Sequence, residues 1–214
     1  MQLLNKSAAK NIFAHTWYIY PLLIGLITVI WIWGFQAFHL PGAHESLTLF
    51  FATSIRDESF ATKLMKTYYA KEKLRQVDAY SCLPTNAGYY AKLQLYLSKS
   101  DFLVLDERTI DEFKNYQDRL FVELDDELLE KYSLENYDFY TFVDEESISH
   151  KYGIKIKDKT ETTYLDQFMT FDTDYDYYVC LSTSSVNLGY KSDKGNDKHD
   201  NAITYMKHLL ETNQ

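Results

Sequence analysis

From Trp17 to Phe38 the chain is apolar almost without interruption, and no Asp, Glu, Lys or Arg occurs between Lys10 and Glu45. A run of this length matches the hydrocarbon thickness of a bilayer, so it predicts a transmembrane helix over residues 17–39. Trp17, Tyr18 and Tyr20 at one end and Trp31 and Trp33 at the other fit the two interfacial belts where amphipathic rings settle. Pro21 falls in the expected first turn, where its missing N–H is tolerated. The aromatic exit lacks the small residues of a signal-peptidase site, so the helix is expected to stay as an uncleaved anchor. Residues 1–16 form a short tail carrying Lys6 and Lys10 and no acid, which by the positive-inside rule places the N-terminus in the cytoplasm. Residues 40–46 are then a linker, and residues 47–214 an extracytoplasmic domain at the plasma membrane.

Beyond the linker the pattern changes to short apolar runs alternating with helical stripes. LTLFFAT (47–53) predicts a buried strand, and Phe60, Leu64 and Tyr68 share one face of a helix. LRQVDAYSC is a second strand. A helix opened by Pro84-Thr85-Asn86 follows, with Tyr89, Leu93 and Leu97 as its stripe. FLVL (102–105), apolar throughout, predicts a central strand. Thr109 to Glu112 has the spacing of a capping box for a further helix. This βαβαβα order predicts parallel strands joined by right-handed crossovers, hence a single, mostly parallel α/β/α sandwich with helices on both faces. The segment 121–163 is less regular, with a helix over 125–131 and strands over 137–145 and 153–156. YYVCLS (177–182) is one more buried strand, 192–197 a hydrophilic loop, and 201–212 a terminal helix burying Ile203, Met206 and Leu210.

Charge narrows the partners. Removing the two tail lysines leaves 20 Lys and Arg against 31 Asp and Glu, so the outer domain carries about −11. That excludes nucleic acid, whose phosphates need a basic stripe. Two cysteines, Cys82 and Cys180, are too few for a disulfide-built scaffold, and the sequence leaves open whether they are free or bridged. The six histidines show no metal-ligand spacing, and Asp172, Asp174 and Asp176 lack the Gly and terminal Glu of an EF-hand loop. With no G-x-S-x-G, P-loop, H-E-x-x-H or G-x-G-x-x-G, neither an enzyme nor a cofactor is expected.

Three stretches carry a family resemblance. TNAGYYAKLQLYLSKSDFLVLDE is a helix running into a short apolar strand that ends in acids; LTLFFATS precedes it; YYVCLSTSSVNLGYKSDKGNDKHDNAITYMKHLLE closes the chain. Together they resemble one lobe of the extracellular solute-binding proteins of ABC transporters, the last stretch being similar to the place where those proteins return to their first lobe. Residues 115–174 are too few for a full second lobe. The resemblance therefore implies a truncated, membrane-anchored relative that holds a small-molecule solute or docks on a permease or a solute-binding protein. A membrane-tethered sensor or scaffold with no solute-binding role is the alternative.

In an open parallel sheet, ligands collect beyond the carboxyl ends of the strands. The residues expected there are Ser54 and Arg56 after the first strand, Ser81, Thr85 and Asn86 after the second, and Asp106 and Glu107 after the third. The competing reading of the same residues is structural: threonines that cap helices and acids that face solvent. The tyrosine clusters YDFYTF and FDTDYDYY read either as sugar-stacking platforms or as cross-strand pairs on half-buried strands.

Overall fold

The computed structural model describes residues 16–39, 41–68, 74–189 and 200–213, with backbone alone at 36–39. Most of the expected cytoplasmic tail and the hydrophilic loop at 192–197 lie outside the described residues. The chain divides into two compact units, Met1–Leu40 and Pro41–Gln214.

The first unit contains helix α1 (Ile19–His39). Twenty-one residues rise about 31 Å. Pro21 sits in its first turn, and the Thr28 hydroxyl donates to the Ile24 carbonyl at 2.8 Å, so this mid-helix polar group is satisfied within the helix. The side chains of Trp31 and Trp33 are 74% and 73% exposed. Among the described residues no helix is long and apolar enough to cross a membrane. The transmembrane helix expected over 17–39 is thus not supported.

The second unit is built on a six-stranded sheet. Its strands are β1 (Ser46–Phe51), β3 (Gln76–Ser81), β4 (Phe102–Asp106), β5 (Phe139–Val143), β6 (Ser149–Lys157) and β8 (Tyr177–Leu181), in the spatial order β3-β1-β4-β8-β6-β5. Two further strands, β2 (Ser54–Ile55) and β7 (Met169–Thr170), form a separate antiparallel pair. Helices α2 (Phe60–Thr67), α6 (Asp126–Tyr132) and α7 (Asn201–Thr212) bury Leu64, Leu128 and Met206 against one apolar cluster. Helices α3 (Tyr89–Leu97) and α4 (Glu107–Glu112) bury Leu93 and Ile110 against the other. Period-two alternation divides the strands between the clusters: Leu47, Leu49 and Phe51 face the first, and Phe50 the second. The one-turn helix α5 (Gln117–Leu120) leads into the segment that bridges Phe121 to Ser182.

The expected α/β domain with helices on both faces is therefore present, and FLVL is the centre of the sheet. The strand directions need correction. Only β3-β1 and β1-β4 are parallel pairs; β4-β8, β8-β6 and β6-β5 are antiparallel. The crossover rule holds as long as helices separate strands, but β5 and β6 are joined by a short turn at Asp144–Ser147, which forces them antiparallel. Helix starts also differ. The second helix begins at Tyr89 behind Gly88, past Pro84-Thr85-Asn86, and α4 is capped by Asp106, whose side chain accepts the Thr109 N–H, instead of by Thr109. A capping side chain three residues upstream of the N–H that donates to it satisfies an orphan donor of the first turn.

Cys82 and Cys180 are both free and buried, and burial pushes the Cys180 thiol far up. Gly153 lies against the same cysteine. A Cβ at Gly153 would stand 3.1 Å from both Cys180 Sγ and Tyr178 Cβ, so this central position of β6 accepts no larger residue without displacement. Gly153→Ala is expected to cost about 1–3 kcal/mol by overpacking, measured as a lower denaturant midpoint at unchanged slope.

Candidate functional site at the carboxyl ends of the strands

Because β1, β3 and β4 run in one direction, Phe51, Ser81 and Asp106 end on the same side of the sheet, where β6 also ends at Lys157 and β8 begins at Tyr177. Five of the seven expected residues are engaged in holding the fold there. Arg56 donates through Nη2 to the carbonyls of Asp166 (2.6 Å) and Met169 (2.7 Å), and its N–H donates to Phe168. Through Nη2 it clamps the 164–170 segment. Ser54 lies opposite Thr170 in the β2-β7 pair, reinforced by the buried Thr53 hydroxyl, which donates to the Thr170 carbonyl. Ser81 Oγ accepts the Ile55 N–H at 3.4 Å. Thr85 and Asn86 lie exposed in the turn before α3, with Asn86 Nδ2 3.9 Å from Cys82 Sγ.

Asp106 is 1% exposed. Its Oδ1 accepts the Thr109 N–H at 2.7 Å, and the Thr109 hydroxyl meets the Tyr89 hydroxyl at 3.1 Å. Glu107 is exposed, while its backbone N–H donates to Asp176. Burial holds the Asp106 carboxyl above its usual range, opposed by the Thr109 N–H and more weakly by Arg108. Asp106 is thus a helix cap first, and the sequence could not separate that role from a ligand-facing one.

Sequence reasoning missed Arg108 and Tyr175. The Arg108 guanidinium lies over the Tyr175 ring at 4.6 Å, with Nε 3.8 Å from Asp106 Oδ1, so the cation covers the buried carboxylate. The Tyr177 hydroxyl accepts the Asp172 N–H nearby at 3.0 Å. The structure therefore gathers Ser54, Arg56 and Ser81 around the β2-β7 pair and Asp106 and Glu107 around Arg108. It does not bring the seven into one constellation.

Three cavities mark the described surface elsewhere. A groove of about 450 Å³ runs beside β3 and includes Ser81, Ile55, Phe60 and Asp78 in its walls. A second, of about 280 Å³, lies between the end of β6 and α7, next to the buried Lys157, whose ammonium binds Asp166 at 3.0 Å and the Glu161 carbonyl. A third, of about 390 Å³, is walled by Lys114, Gln117, Asp144 and His150. Of the seven expected residues, only Ser81 lines any of the three. Among the described residues no group of three or more His, Cys, Asp and Glu is placed to hold a metal ion.

His150, at the third cavity, joins Glu123 to the β5-β6 turn. Nδ1 stands 2.8 Å from Glu123 Oε1 and Nε2 3.2 Å from Asp144 Oδ2. A neutral imidazole has one N–H, so donation to both carboxylates requires the imidazolium. The hydrogen bond to Glu123, then that to Asp144, raises its pKa from the ordinary 6.5. A raised folded pKa contributes stability that is complete below about 6.5 and is lost as pH rises through the folded value. Hydrogen exchange, corrected for its intrinsic pH dependence, should show the 144–148 turn losing protection as pH rises above about 6.5, and His150→Gln should flatten that dependence.

No protein-family model, no curated protein and no solved structure matches the chain.

Proposed function

We propose that the chain is a membrane-anchored, extracytoplasmic α/β interaction module that serves an ABC-type solute uptake system by docking on its permease or solute-binding protein. The observation that carries the anchor is the uncharged, ring-bracketed stretch Trp17 to Phe38, of which 19–38 is helical. Transfer of such a helix into hydrocarbon satisfies its backbone internally and leaves Trp and Tyr at the two interfaces. The lobe resemblance is supported by β8, the expected return strand, which seats directly beside β4 in the same sheet. Residues between α4 and β8 supply β5 and β6 to that sheet's far end, which agrees with a truncated relative. Docking is favoured over solute capture because the Nη2 of Arg56 and the Oδ1 of Asp106 already serve the fold and the expected residues do not gather into one pocket.

With the full chain produced in a bacterial host, alkaline carbonate washing should leave it in the membrane pellet. Protease added to intact cells should remove the C-terminal domain, and a chain beginning after Phe38 should be recovered in solution. Release by carbonate, or protection of the domain from external protease, contradicts the anchor. Recovery of the chain alone from mild detergent, without permease or binding-protein subunits, contradicts the docking role.

A further inference from the structure

The third cavity, of about 390 Å³, is formed where α5 and the segment leading into it meet the paired strands β5 and β6. Its size falls within the range of small-molecule sites. Phe142 of β5 and Tyr152 of β6 contribute two aromatic side chains to it, the second of them buried. Gln117, carried by α5, belongs to the same wall and is 2% exposed. Its Nε2 donates to the Ile110 carbonyl at 3.4 Å, which sets the sense of the amide. Its Oε1 is buried and has no hydrogen-bond partner among the described residues. A carbonyl buried without a donor costs free energy, which an N–H brought by a ligand would recover.

Charge decides which kind of donor fits. Asp118 and Glu145 line the cavity, and neither forms an ion pair among the described residues. Two further carboxylates are already engaged by His150, Glu123 at 2.8 Å and Asp144 at 3.2 Å. Counting the imidazolium and Lys114, four carboxylates stand against two cations, so the cavity and its rim keep a charge of about −2. An anion is therefore disfavoured. A metal ion is not served either, since among the described residues no group of three or more His, Cys, Asp and Glu is placed to hold one. An organic cation with N–H groups meets all three features: the orphaned acceptor, the surplus of carboxylate, and rings that attract a cation and cover its apolar stem.

We infer that this cavity binds a small organic ammonium ion, which donates to Gln117 Oε1, takes its countercharge from Asp118 and Glu145, and lays its stem against Phe142 and Tyr152. The inference goes beyond the docking role and rests neither on that role nor on the anchor. Its failure is therefore distinguishable from theirs: membrane fractionation and co-purification read the other two, and neither involves this cavity.

The test titrates n-butylammonium into the full chain in nanodiscs of zwitterionic lipid, with the glutamine side-chain amides labelled with nitrogen-15 and empty nanodiscs as reference. A saturable shift of the Gln117 amide signals is expected. Binding of n-butanol and of butyrate, which have the same stem without the cation, should be weaker by about ten-fold or more, the worth of one hydrogen bond from a charged donor. Tetramethylammonium, which has the charge but no N–H, should also bind more weakly. Gln117→Leu should lose about ten-fold in affinity. The double variant Asp118→Asn with Glu145→Gln, which changes only exposed side chains, should do the same at an unchanged melting temperature, and it decides the matter should Gln117→Leu fail to fold. Nα-acetyl-lysine amide, compared with n-butylammonium, separates two sources of the same ammonium: tighter binding of the lysine derivative upholds the site and assigns it to a protein side chain, weaker binding to a free amine. Absence of a saturable shift at Gln117, equal affinity for butanol or for tetramethylammonium, or indifference to the Asp118–Glu145 double variant overturns the inference.

Discussion

The antiparallel pairing of β4 with β8 is the constraint on which the domain Pro41–Gln214 depends. The register runs from Phe102 opposite Leu181 to Asp106 opposite Tyr177, and every residue of both strands is buried. Closing this contact brings together strands about 70 residues apart, a cost in loop entropy that only an extensive buried interface offsets. At one end a polar knot fixes the register: Asp101 accepts the Thr48 N–H at 2.8 Å, the Ser185 hydroxyl at 2.6 Å and the Asn187 amide at 3.0 Å. Burial raises the Asp101 carboxyl while those donors oppose the shift. Asn187 also reaches the carbonyls of Ala43 and Ser46, which ties the entry of β1 to the segment leaving β8. The parallel half of the sheet and its antiparallel half are joined through this seam.

Much of this was legible in the sequence, for definite physical reasons. FLVL and YYVC are continuous apolar runs, and such runs are buried strands whatever their direction. The stripe of Tyr89, Leu93 and Leu97 and that of Ile203, Met206 and Leu210 mark helices because side chains three and four apart share a face. Direction was not legible beyond β4, since a run of alternating residues reads the same from either end. The two-residue strands β2 and β7 are too short to leave a period. The site was read least well, because an Asp at the end of a strand looks identical whether it caps the next helix or faces a ligand. Asp106 does the former, and Arg56, an isolated cation in a loop, gave no sign that two carbonyls more than 100 residues away would occupy it. His150 and Asp101 acquire their roles solely from the fold.

A functional picture follows from what the fold leaves free. The strand ends, where solutes collect in open α/β sheets, are closed by the β2-β7 pair and by Arg108 over Asp106. The bulged edge at β5 is blunted, and the β3 edge is regular, apolar on its groove side and acidic at its rim. This distribution leaves a regular strand edge, more than an enclosed pocket at the strand ends, at the described surface. The excess of acid over the whole domain also favours a cationic partner, by raising the rate of encounter.

Native-state hydrogen exchange of the full chain, resolved residue by residue along the sheet, tests this account most directly. The account predicts the slowest amides at Leu103–Leu105 and Val179, and in β3 an alternation in which Asp78 and Tyr80, whose N–H groups face β1, are protected while Val77 and Ala79 exchange freely. Uniform protection along β3, or β4 and β8 exchanging as fast as the sheet's ends, would contradict it.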